Sequence, residues 1–241
     1  MFTISTDGIS TTYHVGSGES RLKIYDYSAP HTHKPTNTHI TVVAHGDIKS
    51  LLIVGGGCSG ADIPVYNPLG YKSKGGNSGN VQIYTDINST VLTGGNSSIT
   101  NVAIQLGGGG EMPKSNAYNT NPGGTTRIGV SSDYQSWAGG YTAVGGTSAN
   151  GTGSGSSAVG MNGGTGTQWV DGNYYAAGGG EGGNEIGTTL LLGGLIPSGV
   201  GGSSIGGDGR KSGGKPGTGS GGGAGFHGGS GCVKIAVSDP E

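Results

Sequence analysis

Charge is scarce in this chain. Only 11% of its 241 residues are charged, against the usual ~25%, and the formal net charge is −2. No basic stripe is available to displace phosphate counterions, so no nucleic-acid partner is expected. Long apolar runs are missing as well. Nothing approaches the roughly 18 apolar residues of a membrane-spanning helix, which predicts no membrane insertion. The opening MFTISTDGIS has neither the basic nor the apolar region of a secretory signal, and a soluble protein is expected. Cysteine is limited to Cys58 and Cys232, too few for a disulfide scaffold or a four-thiolate zinc site. A sustained 3.6-residue apolar period is absent, which predicts essentially no α-helix. No spaced acid pair or nucleophile motif stands out either, so neither enzymatic activity nor a cofactor is expected.

What is abundant is glycine, with 58 residues, about three times the usual share of ~7%. In places it keeps a register. From 213 to 231 every third position reads Gly213, Pro216, Gly219, Gly222, Gly225, Gly228 and Gly231. From 139 to 166 the same count meets only small residues. A period of three is that of the polyproline-II helix, whose amides and carbonyls have no partner within the helix and must find one outside it. Glycine at every third position leaves one face bare, so neighbouring backbones can approach and hydrogen-bond. Collagen shares the period but needs an unbroken register and abundant proline, and nine prolines are too few.

One stretch imitates a nucleotide site. LLIVGGGCSGAD, residues 51–62, places Gly55, Gly57 and Gly60 after an apolar run in the GxGxxG spacing of a dinucleotide fold. That fingerprint needs a helix next, to hold the pyrophosphate at its N-terminus. Pro64, Pro68, Gly70, Gly75 and Gly76 follow instead. At ~3 kcal/mol per interior proline and ~1 kcal/mol per glycine, no helix stands there. Residues 209–216 miss a P-loop because Pro216 occupies the place of the metal-binding hydroxyl.

Strands are predicted at 2–5, 10–15, 21–25, 39–44, 50–54, 80–85, 90–93, 101–106, 188–192 and 232–237, from short β-branched and apolar runs between turn residues. The fold class is therefore all-β and irregular: short strands at a base, plus a glycine-rich bundle of polyglycine-II helices. Residues 1–45, poorer in glycine, are set apart as an N-terminal β region, and 46–241 as the glycine-rich domain.

With a lead strand running into glycines (ITVVAHGDIKSLLIVGGGCSG), internal tracts (LGGGGE, AAGGGEGG, GTGSGGGAGFHGG) and a closing strand (GGSGCVKIAV), residues 39–237 resemble the glycine-rich domains of viral and phage fibre proteins. These include the T-even-type receptor-recognising tail-fibre adhesins. The resemblance implies a β-structured base carrying a polyglycine-II bundle whose loops touch a host surface receptor, protein or polysaccharide. It implies a place at the fibre tip or particle surface, in a virion assembled in host cytoplasm, with the N-terminal region attached to other fibre or capsid proteins. The alternative is a capsid decoration or fibre-shaft protein without a receptor of its own. The opening and closing strands of such a domain are expected to pair. If they run antiparallel, Cys58 and Cys232 lie at the same end, and either a disulfide or two buried free thiols results.

If the tracts form a rigid body, binding residues belong to the segments that interrupt them. Two interruptions hold both tryptophans. One is SSDYQSW, residues 131–137, with Tyr134 and Trp137, followed by Tyr141. The other is QWVDGNYY, residues 168–175, with Trp169, Tyr174 and Tyr175. Rigid amphipathic rings among Ser, Asn, Asp and Gly suit receptor contact. Packing against the bundle as a small core is the alternative. Tyr118, within 111–121, is a further candidate, as are Tyr66 and Tyr71 within 61–73. His31 and His33 place two imidazoles on one side of an extended segment, a weak metal candidate that an exposed loop explains equally well.

Overall fold

The computed structural model describes residues 2–5, 10–61, 74–113, 120–147, 162–182 and 198–240. Twelve strands run in chain order: β1 (Thr3–Ser5), β2 (Ser10–Val15), β3 (Leu22–Ser28), β4 (Thr36–Ala44), β5 (Asp47–Val54), β6 (Val81–Asn88), β7 (Asn101–Leu106), β8 (Thr126–Val130), β9 (Ala138–Ala143), β10 (Thr167–Gln168), β11 (Tyr174–Tyr175) and β12 (Cys232–Ser238). No α-helix occurs among the described residues, and the fold is all-β and largely irregular. Two of the expected strands, 10–15 and 101–106, match to the residue. The strand expected at 90–93 is instead a 3₁₀ turn, Ser89–Thr93. The Asn88 side chain accepts a bond from the Thr90 amide, and Gly94 closes the turn with φ 65°. That local capping outweighs the β preference of Thr-Val-Leu-Thr. The strand expected at 188–192 lies outside the described residues.

The strands form two five-stranded sheets, β1-β4-β7-β8-β9 and β2-β3-β12-β5-β6, together with the β10-β11 ribbon. Their pairings are antiparallel, and the opening strand β5 pairs with the closing strand β12, Cys232 opposite Val54 and Ile235 opposite Leu51. Alternation decides what lies between the sheets. Tyr25 and Tyr27 of β3, Leu51 and Ile53 of β5, and Val233 and Ile235 of β12 face inward. They meet Ile40 and Val42 of β4, Val102 and Ile104 of β7, and Ile128 of β8 in one buried cluster. Within residues 1–45, the strands alternate with later ones in both sheets, β4 beside β7 and β3 beside β12, and both contribute inner-face residues to the shared core.

Glycine segments continue from one end of this sandwich, after β5, β7 and β9 and before β6, β8 and β12. Beyond that end the bonding changes period. The amides of Gly55, Cys58 and Ala61 donate to the carbonyls of Asn80, Asn77 and Lys74; those of Gly56 and Ser59 to Gly124 and Asn121; those of Gly57 and Gly60 to Gly229 and Phe226. Every third residue of 55–61 thus serves the same neighbour. Its carbonyls accept from three more segments, through the amides of Gly146, Gly110 and Gly222. A strand bonds in one plane, but this segment bonds all round, and the two sheets merge into one hydrogen-bonded body.

Side chains are excluded here by distance. A Cβ on Gly57 would lie 2.5 Å from the carbonyl carbon of Ser220 and 2.8 Å from the oxygen of Gly219, closer than the ~3.5 Å of a relaxed carbon contact. The GxGxxG glycines therefore approach other backbones, and what accompanies them is a carbonyl-lined packing surface instead of a phosphate cradle.

Candidate functional site

The outer face of the β2-β3-β12-β5-β6 sheet carries an uncommon grouping. Lys234, at the middle of the apolar closing strand, faces outward and is 6% exposed. Its Nζ donates to Asp26 Oδ2 at 2.6 Å and to the Tyr13 hydroxyl at 3.1 Å, and stands 3.8 Å from Asp171 Oδ2. The cross-strand register sets the first contact, since Lys234 pairs directly with Asp26. Burial opposes the lysine's charge, but Asp26 beside it outweighs burial and holds its pKa above the ordinary value. Asp171 accepts from the hydroxyls of Tyr175 at 2.6 Å and Tyr13 at 2.8 Å and from the amide of Asn173 at 3.0 Å. Burial pushes its carboxyl upward, but those donors hold it below the usual carboxylate range. Burial also raises the Tyr13 hydroxyl to about 12. Sequence reasoning passed over this network. The one signal was a lone lysine inside CVKIAV.

The network clamps the segment expected to touch a receptor. Trp169 and Tyr175 are 5% and 3% exposed, packed with Ile24, Leu52, Val54 and Cys232, and Trp169 Nε1 donates to Ser50 Oγ at 2.8 Å. These two rings are core, because β12, β5 and β3 present an apolar outer face that the 167–177 segment must cover. Of the three aromatic residues expected at 168–175, Tyr174 alone is exposed, at 37%.

The first interruption stands differently. Tyr134 and Trp137 are half-buried at the edge of the other sheet, with ring centroids 6.2 Å apart. Asp133 Oδ1 accepts the amides of Ser136 and Gln135, each at 2.9 Å, which lowers its pKa and fixes the loop. Tyr134 adopts φ 59°, a left-handed conformation costly for an aromatic residue. Its hydroxyl donates to the Thr38 carbonyl at 3.1 Å and lies 2.8 Å from His39 Nδ1. Arg127 sits over the Trp137 ring at 5.9 Å, and with Tyr134 they make a pre-shaped, partly exposed aromatic and polar surface. Tyr141 stands apart from it: paired with Ile128, it faces the core cluster and stacks on Tyr84 at 3.9 Å.

The histidines gain a third member. The His31 ring lies 5.0 Å from that of His33 and 3.8 Å from that of His227. Burial, then the neighbouring imidazoles, lower the His31 pKa. Burial does the same at His227. Among the described residues no group of three or more His, Cys, Asp or Glu is arranged to hold a metal ion. Cys58 and Cys232 are buried free thiols and form no disulfide. Their strands are antiparallel as a bridge would require, but Cys232 sits opposite Val54, and Cys58 lies four residues farther on. At ~3.1 Å per extended residue that offset is about 12 Å, twice a disulfide's Cα separation. Tyr118, Tyr66 and Tyr71 lie outside the described residues.

No protein-family model matches the chain, and no curated protein or solved structure is significantly similar to it.

Proposed function

We propose that the glycine segments form a polyglycine-II bundle and that the protein is a virion fibre-tip adhesin, binding a host surface receptor through loops between those segments. The observation that carries the bundle is the bonding of residues 55–61, in which each third amide serves the same neighbour and six segments surround one. Such a body is stiff because its contacts are backbone to backbone, so the segments leaving it are free to vary without altering the fold. The surface around Tyr134 and Trp137, in the connection between β8 and β9, supports a role in recognition: a strained aromatic residue, a capped loop and half-exposed rings are what a preorganised binding site requires. Residues 1–45 supply edge strands β1 and β2, and attachment to other fibre or capsid proteins through them fits open hydrogen-bonding edges.

The test is attachment of the purified protein to permissive host cells. Exchange of residues 131–137 should abolish or retarget attachment while circular dichroism shows the fold intact. Undiminished attachment would refute the site. Stoichiometric association with capsids by a protein that binds no cell would refute the adhesin reading in favour of a structural role.

A further inference from the structure

Beside the Lys234 network lies an open cleft of about 430 Å³, on a different face from the 131–137 surface. Its floor is the Lys234–Asp26 pair, one wall is Asn173 and Tyr174 of the clamped hairpin, and the other is Ser203, Ser204 and Lys215. We propose that this cleft is a binding site for a neutral saccharide of about two rings, a site separate from receptor contact at 131–137.

Size places it among small-ligand pockets, which run ~300–1,000 Å³. Lining chemistry narrows the class. Two serine hydroxyls, a carboxamide, a carboxylate and an ammonium offer donors and acceptors side by side, which matches a ligand whose every hydroxyl both gives and accepts a bond. Asp26 is bound once at each oxygen, by Lys234 at Oδ2 and by Ser28 at Oδ1 at 2.5 Å, and each oxygen keeps a lone pair; its side chain is 15% exposed. Tyr174, 37% exposed, lines the cleft and offers its ring to the C–H face of a sugar.

Charge argues against an anion. Lys234 is already committed to Asp26 at 2.6 Å and has Asp171 at 3.8 Å, so two carboxylates balance Lys234 and Lys215. A phosphate or nucleotide would meet a carboxylate at the floor. Preorganisation supports a ligand role. Ser203 and Ser204 hold φ 47° and 58° in succession, a left-handed conformation that is costly for non-glycine residues. Opposite them, Asp171 pins the Asn173 wall through two bonds, at 3.0 and 3.1 Å. Strained and braced elements therefore face one another across the same space.

The full chain, labelled at surface lysines under conditions that leave most molecules unmodified at Lys215, is applied to an array of bacterial-surface and mammalian glycans. The best-retained neutral disaccharide is then titrated calorimetrically. Retention of a neutral glycan is expected, with affinity falling about tenfold for Tyr174→Ala and for Asn173→Ala. It should fall less than twofold between about 50 and 500 mM salt. Tyr174 and Asn173 are exposed, and unchanged circular dichroism verifies each variant's fold. No retained glycan, wild-type affinity in both variants, or retention confined to anionic glycans that salt elutes would each overturn the proposal. Cell attachment is scored separately, so failure at this cleft and failure of the 131–137 surface remain distinct results.

Discussion

Replacing Gly57 by alanine tests the backbone-packed body at its centre. The new Cβ would sit 2.5 Å from the Ser220 carbonyl carbon, so the 219–223 segment must retreat by roughly 1 Å to restore an ordinary contact. Among the bonds that tie that segment down, three lie nearest the clash: Gly79 N to Gly219 O at 2.8 Å, Gly229 N to Ser220 O at 2.8 Å, and Gly222 N to Cys58 O at 3.0 Å. Weakening three bonds at ~1 kcal/mol each costs ~3 kcal/mol, more where a buried group is left without a partner. The smaller entropy of an unfolded alanine returns ~0.4–1 kcal/mol. A net loss of about 2–2.5 kcal/mol corresponds to a melting shift of ~4–10 °C for a chain of this size. Gly95 is the control: φ is 84° and no atom lies within 4 Å of its added Cβ, so Gly95→Ala carries only the left-handed penalty of ~1–2 kcal/mol. Urea unfolding followed by circular dichroism compares the two. A Gly57→Ala protein within about 1 kcal/mol of wild type, or more stable than Gly95→Ala, would refute close backbone packing.

Three further outcomes are expected. Because His31 and His227 have lowered pKa values, the folded state binds fewer protons than the unfolded chain. Their share of stability is complete above the unfolded value of ~6.5 and lost as pH falls below it, so the melting temperature should drop between about pH 7 and 5, and less steeply in a His31→Gln/His227→Gln protein. Both cysteines are buried, and burial raises both thiol pKa values, so a thiol reagent should modify neither in native protein and both in denaturant; no modification under non-reducing denaturation would mean a disulfide. Lys234→Met leaves Asp26 and Asp171 without their cation and should destabilise by about 3 kcal/mol in chemical unfolding, a loss of under about 1 kcal/mol contradicting the network.

Much of the strand pattern is legible in residues 10–15, 101–106 and 232–237, where apolar and β-branched side chains recur between turns. Strands β8 and β9 escape notice because Gly129, Gly139 and Gly140 dilute their pattern. The aromatic segments show the limit for the candidate site. SSDYQSW and QWVDGNYY both mix aromatic rings with polar residues, yet the rings of one are half-exposed and two of the other's three fill an apolar face.

The sequence by itself determined that the described residues form strands and no α-helix, because those depend on local period and on glycine and proline. It also determined that the glycine segments need partners, since an extended backbone cannot satisfy its own amides. Only the tertiary structure decided which segments those partners are, which tryptophan is core, that His227 joins His31 and His33, and that Lys234 meets Asp26 and Asp171. Those outcomes join residues up to 208 positions apart, and burial and pairing at such separations are properties of the packed chain, not of any stretch of it.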